Sequence, residues 1–397
     1  MILSLLFWVL LFILVYTYVG YALVLWLLVG LKKVLGRRKI SLESDDYEPD
    51  VCLFVTAFNE KYYIEQKVKN AFSLDYPKEK IQYVWVTDGS DDGSPEMLEQ
   101  LKELEVYDQP ERRGKMHAMN RGMEFVKAPI VIFSDANTVL GKQSIREIVR
   151  CFSNPEVGCV AGEKRIVQNN EETAAGAGEG LYWKMESWIK RNDWELNSAV
   201  GAVGELFAIR TELFEDVEPD TLLDDFIISL RIAQRGYKIA YAPKAYAEET
   251  ASLNVTEELK RKVRIAAGGI QTIMRLKGLL NPFKNGILSW QYLSHKVLRW
   301  AFAPPALFLL FIINLLLVVS TNNWSVDNFY ALVLYLQVLL YMTAAFGWYF
   351  ENKKVRMKAL FVPYYFVMIN SATIIGIIRY VRGRQTVNWE KSKRAAG

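Results

Sequence analysis

Histidine is almost missing from this chain. In 397 residues there are two, His117 and His295. That is too few for an imidazole-built zinc site, and it disfavours a Ser-His-Asp triad or a two-histidine proton relay. Cysteine is nearly as scarce. Cys52, Cys151 and Cys159 cannot make a disulfide framework, so the polar part of the chain is expected in a reducing compartment. Neither charge sign dominates: 48 Lys and Arg against 44 Asp and Glu leave a net +4. That balance excludes the basic surplus of a nucleic-acid binder. Acid–base or metal chemistry here has to rest on Asp and Glu.

Charge is also missing from particular stretches. Residues 2–31 hold no charged side chain. As a helix rising about 1.5 Å per residue they would reach ~45 Å, beyond the ~30 Å hydrocarbon core of a bilayer. The run is too long for a signal peptide and lacks a basic start. Lys32, Lys33, Arg37, Arg38 and Lys39 follow at once and place that end on the cytoplasmic side. Three further apolar runs cover 301–320, 329–349 and 359–378, with Asp327 the only charge between 301 and 350. The loop 351–358 (Lys353, Lys354, Arg356, Lys358) and the tail (Arg379, Arg382, Arg384, Lys391, Lys393, Arg394) are both basic. Four full crossings from an outside N-terminus would put the tail outside, against its charge. Either 359–378 crosses fully, or it enters and returns on one side, interrupted by Pro363, Asn370 and Ser371. Residues 282–300 mix Trp, Tyr, Lys and Arg and read as an interfacial helix. Residues 178–194 are amphipathic, with Leu181, Met185, Trp188 and Ile189 on one stripe that faces either a core or a membrane. The expected plan is a transmembrane helix at 1–31, a cytoplasmic domain at 41–280, the interfacial helix, a membrane region at 301–380 and a basic tail at 381–397. This is a multi-pass protein of a plasma membrane, of bacterial inner-membrane type.

Between 41 and 280 short apolar runs alternate with helical patterns. Strands are expected at 51–56, 81–87, 130–134, 157–161, 204–209 and 238–242, and helices at 60–72, 94–104, 115–127, 143–152, 222–235 and 256–278. The pattern predicts an α/β, Rossmann-like domain with a mostly parallel sheet. Polar residues gather where three strands end: Thr56 to Glu60, Asp88 to Ser94, and Ser134 to Asn137. Open parallel sheets bind ligands beyond the carboxyl ends of their strands. Each cluster alone also reads as ordinary turn or capping chemistry. Arg112 to Lys115 reads equally as a solvated loop. Adjacent acids at Asp224 and Asp225, between apolar residues at a helix start, exceed what a cap requires.

In this order the motifs resemble membrane-embedded family 2 glycosyltransferases with a GT-A catalytic domain. That group includes cellulose, chitin, hyaluronan and poly-N-acetylglucosamine synthases and ceramide glucosyltransferase. The resemblance is carried by Val55-Thr56-Ala57-Phe58-Asn59-Glu60, by Asp88 in its VTDGSDDGS segment, and by Arg113-Gly114-Lys115 with Ala118 and Asn120. It continues through Ser134-Asp135-Ala136-Asn137, Gly201 to Gly204 with Phe207 and Arg210, Asp224-Asp225, and Arg261-Lys262-Val263-Arg264-Ile265. It implies that Asp135 and Asn137 hold Mg²⁺ or Mn²⁺ and that Asp225 is the catalytic base. Thr56, Glu60, Asp88, Arg113, Lys115, Asp224, Arg261 and Arg264 are implied to bind substrate, with Asp88 and Glu60 at the uridine diphosphate and Arg264 at the leaving group. Four residues depart from the family pattern: Asn137 for the second acid of D-x-D, Asp224 for Glu, and, in the place of Q-x-x-R-W, Arg261 for Gln and Ile265 for the Trp that stacks on an acceptor sugar.

The implied reaction is inverting transfer from a UDP-sugar to a hydroxyl acceptor at the lipid bilayer, giving a β-linked glycan or oligosaccharide. Two alternatives stand beside it: β-glycosylation of a lipid without polymerisation, which the loss of the Trp favours, and a non-catalytic scaffold, which the retained acids disfavour. A channel through so few helices would need a second copy, so a homo-oligomer is among the expected partners.

Overall fold

Val51, Leu53 and Val55 alternate with Cys52 and Phe54 along one strand, and all five are buried. The period of two sends the first set to one face of a sheet and the second to the other. Val51, Leu53 and Val55 meet Ile64, Val68 and Ile148 on one side. Cys52 and Phe54 meet Met116, Met119 and Ile227 on the other. Helices therefore cover both faces, as a buried parallel sheet requires.

The computed structural model describes residues 1–36, 47–167, 174–353 and 358–384. Arg37, Arg38, Lys39, Lys354, Arg356, Lys391, Lys393 and Arg394, used above to read topology, lie outside the described residues. The chain starts with α1 (Ile2–Val15) and α2 (Tyr21–Val34), joined by a π-type turn into one continuous rod. The elements of the sheet domain follow: β1 (Val51–Ala57), α3 (Lys61–Phe72), β2 (Ile81–Thr87), α4 (Ser94–Glu99), β3 (Glu105–Tyr107), α5 (Lys115–Met123), β4 (Ile130–Asp135), β5 (Val139–Leu140) and α6 (Ser144–Cys151). Then come β6 (Val157–Val167), α7 (Ala174–Leu196), β7 (Leu206–Arg210), α8 (Asp224–Gln234), β8 (Lys238–Thr250) and α9 (Val255–Arg275). The chain closes with α10 (Pro282–Asn285), α11 (Ile287–Tyr292), a π-type stretch Leu293–Phe302, α12 (Ala303–Thr321), α13 (Phe329–Asn352) and α14 (Lys358–Val381). Among the described residues, four helical stretches are long and apolar enough to cross a membrane.

The eight strands form one sheet in the order β3-β2-β1-β4-β7-β6-β8-β5. The pairs β1·β2, β1·β4, β2·β3 and β6·β8 are parallel, whereas β7 runs antiparallel to β4 and β6. That reversal matters for function. Ser134 pairs with Leu206, so the residues entering β7, Gly204 and Glu205, lie at the same edge as the exit of β4. By the same logic β6 leaves Lys164 there, and β8 brings Glu249.

Several expectations need correction. The helix expected at 94–104 stops at Glu99 and gives way to β3. Strands expected at 157–161 and 238–242 run on to Val167 and Thr250, through charged residues that the apolar pattern missed. Of the two alternatives for the α7 stripe, the core-facing one does not hold. Met185 and Trp188 are exposed, Ile189 packs on Tyr21, Leu25 and Val29 of α2, and the buried face is the charged one: Glu186, Lys190 and Asp193. Residues 282–300 are more than an interfacial ramp, because Gln291, His295 and Lys296 are buried against α7 and Ser294 bonds to Tyr16 of the first rod.

The segment expected either to cross or to return is one unbroken helix, α14, without the chain reversal of a re-entrant loop. Pro363 removes a single backbone donor near its start. Asn370 does not interrupt it, because its amide donates to Phe366 O at 2.8 Å and accepts from Tyr18 OH at 2.5 Å. Gly376 lies where an added Cβ would come within 2.6 Å of Val263 O and Ala266 Cβ, so α14 packs closely on α9.

Candidate active site

The first two acidic loops hold each other. Asn59, at φ 54°, donates through Nδ2 to Asp91 Oδ1 at 2.8 Å and accepts from Asp91 N at 3.0 Å. Asp92 accepts from Lys61 N at 2.9 Å and Ser94 N at 3.0 Å, so it serves the starts of both α3 and α4. For Asp91 and Asp92 the turn-and-cap reading is correct. Glu60 sits at the N-terminal boundary of α3.

Asp88 has a different place. It is 5% exposed, and its two oxygens accept from the backbone of Arg113 at 2.9 Å and Gly114 at 2.8 Å. The resemblance implied a nucleotide contact. The geometry gives Asp88 a prior task, anchoring the 112–115 loop, and leaves only its remaining lone pairs for a ligand. The Arg113 side chain pairs at the surface with Glu111 at 2.6 Å. Gly89 requires its glycine, since a Cβ would come within 2.6 Å of Arg112 N at φ +69°.

Held in this way, the loop starts α5 at Lys115 and sends its side chain into the cleft. The ammonium donates to Asp135 Oδ1 at 2.8 Å and makes an off-axis ion contact with Asp224 Oδ2 at 2.9 Å. Burial works against this cation, but Asp135 and Asp224 outweigh it and hold Lys115 above its ordinary pKa. Burial raises Asp135 in turn, with Glu205 and Asp224 adding and Lys115 opposing. Thr56 lies beside Asp135 in register on β1. Asn137 donates to Glu249 Oε1 at 3.4 Å.

Asp225, next to Asp224 in the first turn of α8, is treated differently. Its carboxylate has no hydrogen-bond or ion-pair partner among the described residues. Gly204 faces it, and an added Cβ there would lie 3.7 Å from Asp225 Cγ. Burial, then the neighbouring charges of Asp224 and Glu205, push Asp225 up to about 7. The pair is thereby split into a tied acid and an open one.

The substitution expected at 261–265 also resolves. Arg261 is buried and pairs with Glu258 at 3.1 Å and Glu249 at 3.9 Å, so its guanidinium is engaged inside the protein. Arg264 follows one turn later on α9 and is half-buried. Sequence reasoning missed Glu205, Lys164 and Glu249. Lys164 joins the other two, with Glu249 at 2.5 Å and Glu205 beside it. Lys164 holds Glu205 below the usual carboxylate range despite its burial. Their only signal was charge inside or beside an apolar strand.

Among the described residues no three His, Cys, Asp or Glu side chains cluster as a ready metal cage. Asp135 and Asn137 together fit a different case, a hard cation bound through one carboxylate, an amide oxygen and the phosphates of a ligand.

The family model for glycosyltransferase like family 2 matches residues 49–268, which include every residue placed above. The chain belongs to this family. It is 27% identical over 247 residues to a poly-β-1,6-N-acetyl-D-glucosamine synthase of Staphylococcus aureus, covering 60% of this chain and 58% of that protein. A synthase of the same name from Staphylococcus epidermidis is 25% identical over 248 residues, covering 60% and 59%. The matched stretch thus spans under three fifths of these relatives. In fold, this glycosyltransferase is similar to a mannosyltransferase from Pyrobaculum calidifontis solved in complex with GDP-Man and Mn²⁺. The TM-score is 0.70 at 21% identity, over 96% of this chain and 100% of that one. The mostly parallel GT-A sheet expected from the sequence is the fold observed.

Proposed function

We propose that this enzyme transfers a hexosyl unit from a UDP-sugar, with inversion, to a hydroxyl acceptor at the membrane surface. The observation that carries the reading is the split pair: Lys115 ties Asp224, whereas Asp225 is open and sits near 7. An unpaired carboxylate with a pKa close to working pH suits a general base. Asp225 takes the proton from the acceptor hydroxyl as that oxygen attacks the anomeric carbon. The bond from that carbon to the diphosphate oxygen breaks, and UDP leaves with the electron pair. One displacement converts an α-linked donor into a β-linked product. A divalent cation held by Asp135 and Asn137 would neutralise charge on the leaving diphosphate. Lys115 keeps Asp135 and Asp224 in place, and Arg264 on α9 supplies a cation on the leaving-group side.

The S. aureus and S. epidermidis relatives, named as poly-N-acetylglucosamine synthases, support a β-linked glycan product. Ile265 supports a shorter product or a lipid acceptor, because an aliphatic side chain offers no face for a sugar to stack on. The test is purified full-length protein with Mn²⁺, a panel of tritiated UDP-sugars, and GDP-Man as a nucleotide control. UDP release is expected from one UDP-sugar, and product size and partition into butanol separate glycan from glycolipid. No release from any donor would overturn the reading.

A further inference from the structure

The buried face of α7 carries a group that the reaction above does not use. Lys190 is 3% exposed, yet its ammonium has no hydrogen-bond or ion-pair partner among the described residues. The carboxylates around it are engaged elsewhere. Glu186 accepts from Lys296 at 2.5 Å and Arg299 at 3.0 Å and lies 3.2 Å from His295. Glu163 accepts from Ser187 Oγ at 2.6 Å and from Tyr241 OH. Lys190 Nζ lies over the Trp183 ring at 5.9 Å, and Lys164 Nζ lies over the same ring at 5.3 Å. The indole N–H of Trp183 is itself buried without an acceptor. Lys190 lowers the proton affinity of Asp225, though less than Lys115 does. An ammonium and an indole N–H without partners are thus grouped within electrostatic reach of the unpaired Asp225 carboxylate. Burial lowers the proton affinity of Lys190, and Glu186, Glu163 and Asp225 act on its charge without touching it, so an anion in direct contact would favour the ammonium form.

The level of this group relative to lipid narrows the choice of anion. The preceding residue, Ile189, packs on α2. At the end of α7, Lys32 donates to Glu195 O and Leu196 O at 2.8 Å, and Lys33 pairs with Glu195 at 2.6 Å. Lys190 therefore sits within about two helical turns of the basic end of the first apolar rod, the depth at which phosphate head groups lie.

We propose that Lys190 holds a phosphate group of the acceptor while the acceptor's hydroxyl is presented to Asp225. This rests on the glycosyltransfer reading and specifies its acceptor. Two pairs of probes test it with the donor found above, each pair differing in phosphate. One is phosphatidylglycerol against diacylglycerol, both in phosphatidylcholine vesicles, and the other is glycerol 3-phosphate against glycerol. UDP release above the acceptor-free rate is expected with a phosphate-bearing probe and not with its neutral partner. Stimulation by phosphatidylglycerol alone identifies a lipid source; stimulation by glycerol 3-phosphate as well identifies the phosphate itself. Lys190→Met is expected to raise KM for that probe tenfold or more, with UDP affinity by calorimetry retained as the folding control, and Lys190→Arg to recover most of the loss. Neutral probes that work as well, no stimulation by either phosphate, or a Lys190→Met variant that lowers kcat at constant KM would each overturn the proposal. Wild-type protein that releases no UDP from any donor defeats the glycosyltransfer reading itself, a result distinct from any behaviour of Lys190.

Discussion

Replacing Asp225 by Asn should inactivate the enzyme and stabilise it, and the second effect should depend on pH. Asp225 is pushed from 3.8 up to about 7 by burial and by Asp224 and Glu205. At about 1.4 kcal/mol per tenfold change in proton affinity, that difference corresponds to a ceiling of roughly 4 kcal/mol. Between those two values the folded protein binds the proton that the unfolded chain has released. Stability therefore falls as pH rises from about 4 to about 7, and the full penalty stands above 7. Asn carries no such penalty and keeps the shape. Thermal unfolding at pH 8 should show Asp225→Asn clearly more stable than wild type, while at pH 4 the two should converge. Turnover should drop by about 10²–10⁴-fold, the usual worth of a general base, with UDP-sugar binding retained. In the wild type, kcat should climb with pH and level off above about 7. An active Asp225→Asn variant, or a stability gain equal at both pH values, would refute the reasoning.

Three further outcomes follow from the same geometry. Asp135→Ala should weaken Mn²⁺-dependent UDP binding at least tenfold by calorimetry while leaving metal-free binding alone; equal affinities with and without Mn²⁺ in the wild type would remove the metal role. Lys115→Met leaves Asp135 and Asp224 without their shared cation and removes a charge that lowers Asp135 and Asp225, so the pH–rate profile should shift to higher pH; an unshifted profile would show that the Lys115 cation does not govern Asp225. Lys164→Met strands Glu205 and Glu249 and should cost about 3–5 kcal/mol in chemical denaturation, as for other broken buried pairs; adding Glu205→Gln should restore part of it.

The sheet and its ligand edge were legible because apolar strands end abruptly in polar clusters. Thr56, Asp88 and Asp135 each follow such a run, and the register of β1 with β4 then brings Thr56 to Asp135. What was not legible depends on charge buried inside the fold. In α7 the exposed side carries Met185 and Trp188 while Glu186, Lys190 and Asp193 point inward, and a hydrophobic period alone does not say which way such a stripe faces. Lys164 and Glu249 sit in strands that the apolar pattern cut short, and their partnership spans 85 residues of sequence. Glu205 reaches the site only because β7 runs against β4, a reversal that no local pattern encodes. The individual roles of Asp224 and Asp225, adjacent and identical in chemistry, could be separated only by finding where Lys115 goes.

The buried charges also bear on what the apolar helices contribute. Tyr365 of α14 donates to Glu258 Oε1 at 3.1 Å, and Glu258 pairs with Arg261 at 3.1 Å. Arg261 lies 3.9 Å from Glu249, Glu249 is 2.5 Å from Lys164, and Lys164 holds Glu205, which acts on Asp225. Each link alternates in sign, and the four acids and bases between Tyr365 and Glu205 are all buried. In that low-dielectric setting no link can move without changing the field on the next. Were α14 only an anchor, an apolar residue at 365 would serve as well, and nothing would require Gly376 to let it settle against Val263 and Ala266. A helix from the apolar bundle therefore closes the charge chain that holds Glu205, and with it bears on the proton affinity of Asp225.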